Sequence, residues 1–84
     1  MHTNDLKKGT SVRLRNGWSA TIEDNKKGNI RLCKVYGRYT EIGSVYSHDI
    51  MEYIAEDGAL KPIVHTEKQL KHYALVSKIF EEVL

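Results

Sequence analysis

Mainly β with one helix at the C-terminal end is the fold class that the sequence predicts. Three observations carry it. Between residues 11 and 64, short runs alternate polar and apolar with period two, and clusters of Gly, Asn and Asp separate them. After Thr66 the pattern changes to one stretch without Gly or Pro. Strands and helices do not alternate along the chain, which excludes a parallel α/β sheet. Five or six short antiparallel strands hide their edges best by bending into a small barrel. With 84 residues, 40% hydrophobic and 29% charged, the chain builds one domain around a modest core. The expected division is a barrel over 8–64 and an amphipathic helix over 66–84.

The elements follow in order. Residues 1–6 read as a short, loose start. In Ser11–Arg15, Val12 and Leu14 turn inward, and Arg13 and Arg15 turn outward. Asn16-Gly17 suits a two-residue type I′ turn, where both residues need φ > 0. Residues 18–23 alternate again, with Trp18, Ala20 and Ile22 toward the core. Residues 24–29 (Asp-Asn-Lys-Lys-Gly-Asn) form an exposed loop. Residues 30–36 give a third strand, and Gly37-Arg38 turn the chain into a fourth over 39–46. Gly43 marks a bulge or a close approach there. Ser47-His48-Asp49 reads as one turn of 3-10 helix. A fifth strand covers 50–55. A sixth covers 60–64 and belongs at an edge, because Pro62 lacks an N–H.

Thr66-Glu67-Lys68-Gln69 fits a capping box and predicts a helix from 67 to about 83. Its apolar residues spread over about 220° of arc, against the roughly 100° stripe that packing on one sheet requires. Leu75 sits on the polar side. That excess points to a second contact through Leu75, Ile79 and Val83, made with a protein partner or a second copy.

Charge is uneven. Up to residue 38 there are nine Lys or Arg against three acids, and from 39 onward four against eight. Such asymmetry suits a polyanionic partner or an acidic-basic dimer contact. The candidate nucleic-acid-binding residues are Lys7, Lys8, Arg13, Arg15, Lys26, Lys27, Arg31 and Arg38. Tyr36 and Tyr39 lie among them. Basic groups neutralise phosphates and rings stack on unpaired bases, whether DNA or RNA.

The stretch from Lys8 to Trp18, a Lys-Gly pair leading into a strand and a Gly-containing turn, resembles the opening of SH3-like small barrels of the KOW type. The resemblance covers residues 8–55 at the level of fold. It implies a barrel and contact with RNA or nucleic-acid machinery. The whole chain also resembles small uncharacterised phage and mobile-element proteins. For those, the resemblance implies inhibitors or adaptors of a host protein.

Chemistry finds little support. His2, His48, His65 and His72 lack metal-ligand spacing, and one cysteine builds no zinc site, so no metal and no cofactor are expected. Cys33 lies within a strand and reads as a small buried hydrophobe. Neighbours in a turn point apart, so His48 and Asp49 form no dyad, and Asp49 caps its own turn. No phosphate loop is present. The expectation is a binding module and not an enzyme. No apolar run approaches the ~18–20 residues of a membrane span and no secretory leader pattern opens the sequence, so a cytoplasmic protein is expected.

Overall fold

A computed structural model describes residues 1–24 and 29–83, with side chains described through Lys78. Among these residues, six antiparallel strands form one open sheet, and one α-helix follows. The strands are β1 (Ser11–Leu14), β2 (Ser19–Asp24), β3 (Ile30–Tyr36), β4 (Thr40–Tyr46), β5 (Ile50–Ile54) and β6 (Leu60–Pro62). The helix α1 is Glu67–Val83, and Ser47–Asp49 form the 3-10 turn between β4 and β5. The order in the sheet is β4-β3-β2-β1-β5-β6. β1 to β4 form a meander, and β5 then returns to pair with β1.

Period two sets the two faces. Val12 and Leu14 of β1, Ala20 and Ile22 of β2 and Cys33 of β3 are buried on one side, joined by Leu6, Ile50 and Ile63. Val35, Val45 and Tyr53 extend this core while only partly buried. β6 lies at the edge, as its proline requires.

Four local expectations need correction. The first residues are not loose. Thr3–Asp5 form a 3-10 turn, and Thr3 and Leu6 are buried. The Val64 N–H donates to Met1 O (2.8 Å), and His2 makes an isolated parallel bridge with Val64. The β1–β2 turn is not type I′, because Asn16 has a negative φ and only Gly17 is left-handed (φ +89°). The Gly17 N–H donates to Leu14 O (2.9 Å) and the Leu14 N–H to Trp18 O (2.8 Å). This is a three-residue loop with Gly at its left-handed position. Trp18 stays 46% exposed, because it lies at the end of that hairpin over Gly37, beyond the core. Gly43 makes no bulge, since β4 pairs with β3 in unbroken register from Thr40 to Tyr46. The bulges lie instead between Arg13 and Leu14 and between Ile22 and Asp24. The expected loop over 24–29 falls largely outside the described residues.

α1 starts as its sequence predicts. The Thr66 N–H donates to Gln69 Oε1 (2.9 Å) and the Gln69 N–H to Thr66 Oγ1 (3.2 Å). Gln69 is buried, and α1 rests on the Ser47–Asp49 turn.

Candidate functional site

The outward face of the sheet is set by register. Arg13 pairs with Ser19, Ser19 with Tyr36, and Tyr36 with Thr40, which makes one row across four strands. Ser11, Thr21, Lys34 and Ile42 make the next row. Tyr36 therefore shares a face with Arg13 and Lys34. Its ring is 44% exposed, and its hydroxyl accepts from Thr21 Oγ1 at 3.3 Å. Glu52 lies opposite Arg13 on β5 and borders this face.

The eight expected basic residues divide into three groups. Lys7, Lys8, Arg13 and Arg38 are exposed. Lys26 and Lys27 lie outside the described residues. Arg15 and Arg31 are committed elsewhere. Lys34, half-buried beside Tyr36, was not among the candidates, although its alternation with Tyr36 in β3 places it on the same face.

Arg31 is fully buried. It shares the inward side of β3 with Cys33 and Val35 and does not join Arg13 outside. Its guanidinium donates to Ile30 O (2.7 Å) and to Asn4 Oδ1. Desolvation lowers the Arg31 pKa, and Cys33 opposes that shift. Burial, in turn, pushes the Cys33 thiol up to about 11, with Arg31 pulling it down and Glu23 pushing it further up.

Arg15 follows the end of β1 and turns toward the helix. It bonds Asp49 Oδ1 through Nε (3.2 Å) and His48 O through an Nη (2.7 Å), and it covers the Tyr73 ring. Asp49 does not cap its own turn: the same Oδ1 faces His48 Nδ1 at 3.0 Å. That contact puts the proton of the neutral imidazole on Nδ1. Around His48 stand Tyr46, His72 and Tyr73, with ring centroids at 5.0, 5.0 and 5.3 Å. Nε2 of His48 and Nδ1 of His72 are buried without hydrogen-bond partners. Burial holds His48 below its ordinary pKa. Asp49 opposes this, and His72 and Arg15 reinforce it. The arrangement is a packing node that anchors α1. Its base has no open side toward a substrate.

A cleft of about 530 Å³ opens between the β1–β2 turn and β4. Leu14, Val35, Gly43 and Val45 line it, with Trp18 and Tyr46 on its walls and Arg15, Glu41 and Asp49 at its margin.

On α1, Leu70 and Leu75 are 52% and 59% exposed. The side chains of Ile79 and Val83 lie outside the described residues. Among the described residues, no three His, Cys, Asp or Glu side chains converge, and no helix is long and apolar enough to cross a membrane. Compared with protein-family models, with curated proteins and with solved structures, the chain matches none.

Proposed function

We propose that this chain is a non-enzymatic binding module that holds single-stranded nucleic acid on the outward face of its sheet. The observation that carries the reading is the pair of neighbouring rows that set Tyr36 on one face with Arg13 and Lys34. A half-exposed ring offers a stacking platform to an unpaired base, and the flanking cations neutralise phosphates. Exposed Lys7, Lys8 and Arg38 add to the positive field. A fold of the SH3-like, KOW-type class fits this reading. Its support is the β4-β3-β2-β1-β5 order, with a 3-10 turn joining β4 to β5.

Fluorescence anisotropy tests the proposal, with single-stranded DNA, RNA and duplex DNA compared at low and near-physiological salt. Single strands should bind best and lose affinity as salt rises. Arg13→Glu with Lys34→Glu should abolish binding, and Tyr36→Ala should weaken it roughly tenfold, in line with the stacking lost per base. Arg15 is unsuitable as a probe, because its replacement disturbs the helix anchor. Wild-type protein that binds none of the three at low salt would retire the reading. A second reading, a protein-interaction module, rests on exposed Leu75. Leu75→Glu that releases a captured protein while the fold holds would favour it.

A further inference from the structure

The two edges of the sheet are unlike. β6 is three residues long and carries Lys61 and Pro62, the features that block edge-to-edge pairing. β4 is seven residues long, with no Lys, no Pro and no bulge, and Glu41 is its one charge. Two backbone bonds show what this edge offers. The Ser47 N–H donates to Asn29 O (2.7 Å) beyond one end of the β3–β4 ladder, and the Gly37 N–H to Tyr39 O (3.3 Å) beyond the other. Hydrogen-bonded and non-bonded pairs alternate along an antiparallel ladder. Glu41, Gly43 and Val45 therefore direct their amides to β3, and Thr40, Ile42, Ser44 and Tyr46 direct theirs outward. Among the described residues, no backbone group meets them there.

Gly43 adds an independent observation. Glycine in the middle of a strand costs stability. It is justified by a left-handed φ, a bulge or the close approach of another backbone. Here φ is not positive, the register is unbroken, and a Cβ would meet nothing within 4 Å. Gly43 therefore leaves the centre of this edge without a side chain to block an approaching strand.

We propose that β4 pairs with β4 of a second copy, antiparallel, about a twofold axis at Gly43. The register follows from the outward amides. Ile42 pairs with Ser44 of the other copy and Thr40 with Tyr46, each exchanging two backbone bonds. All four outward residues are used twice over, which continues the sheet across both chains. Gly43 then faces Gly43 at a non-bonded pair, where the Cα atoms come closest, to about 4.5 Å. Glu41 falls beside Val45 of the other copy, so like charges do not meet. The pairing stands apart from nucleic-acid binding and does not require it.

Sedimentation velocity over a concentration series, without nucleic acid, tests the pairing. Wild type should pass from monomer to dimer. Ser44→Pro removes an outward N–H while leaving the β3 ladder intact, and should weaken self-association roughly tenfold or more. Ile42→Lys should do the same by guarding the edge, and keeps the test open if the proline variant does not fold. Leu75→Glu should still dimerise. Under mild oxidation Gly43→Cys should give a disulfide-linked dimer, and Glu41→Cys should not. A wild type that stays monomeric at its highest soluble concentration overturns the proposal. So does a folded Ile42→Lys that dimerises as wild type does, or dissociation by Leu75→Glu alone.

Discussion

The guanidinium of Arg15 lies 3.8 Å above the centre of the Tyr73 ring. One side chain at the end of β1 thus meets the helix through a π face and the Ser47–Asp49 turn through an ion pair and a carbonyl. Arg15→Ala should cost about 1–2 kcal/mol, since it removes a cation–π contact and a charged hydrogen bond. Arg15→Lys should recover only part of that, because an ammonium lacks the planar fork. Urea denaturation of the three proteins measures the difference. Equal stabilities would remove the anchoring role.

His48 makes the fold pH-sensitive. Its folded-state pKa lies below the unfolded value, so the unfolded chain takes up a proton first. The stabilisation is fully present above about pH 6.5, the ordinary His value, and is lost as the pH falls below it toward the depressed folded value. Arg15, Asp49 and His72 are the charged or titratable neighbours that set this balance. Unfolding free energy from urea denaturation should drop on acidification, by no more than about 1.4 kcal/mol per pH unit for one proton. His48→Gln should flatten the dependence, and an unchanged slope would assign the effect elsewhere.

Arg31 should behave as a core residue. Arg31→Ala abandons Asn4 and Ile30 O and opens a void, at a cost of about 2–4 kcal/mol. Arg13→Ala, on the exposed face, should stay within about 0.5 kcal/mol. Comparable costs for the two would contradict the burial of Arg31.

Cys33 should resist alkylation in the native state. With its thiol pushed up to about 11 and buried, it carries almost no thiolate at pH 8. Iodoacetamide should modify it only in denaturant. Prompt native labelling would mean that the strand opens readily.

Gly43→Val should stabilise the isolated chain by about 0.5–1 kcal/mol, since the added side chain meets no neighbour and glycine's backbone entropy is removed. Chemical denaturation at a concentration where the protein is monomeric measures it. A loss of stability would show that the position is constrained within one chain.

Much of this architecture is readable from residue order. Period two fixes Val12, Leu14, Ala20 and Ile22 as inward, and Thr66 with Gln69 fixes the start of α1. β3 is harder, because both its alternating sets contain apolar residues. Ile30, Leu32, Lys34 and Tyr36 alternate with Arg31, Cys33 and Val35, and each set carries one cation, so charge does not choose between them. What settles it is Asn4, twenty-seven residues away, which gives the buried guanidinium a partner. Arg15 escaped for a related reason. A bulge at Arg13/Leu14 and a three-residue loop break the alternation that would have kept it beside Arg13. Lys34 is legible from its spacing to Tyr36 in β3, which sets both on one face. The free edge of β4 was invisible until strand order was known, since a sequence shows which strands exist before it shows which are last.

The bridge between His2 and Val64 bears on how the chain acquires its shape. His2 is synthesised sixty-two residues before the carbonyl that its ring contacts. A nascent chain on the ribosome therefore carries its opening segment unsatisfied until nearly the whole sheet has emerged. Leu6 and Asn4 wait with it, and so does the guanidinium that Asn4 serves. Such distant contacts slow folding relative to a helical protein of equal size. Closure of this domain is therefore a late event, in which segments made more than sixty residues apart arrive together.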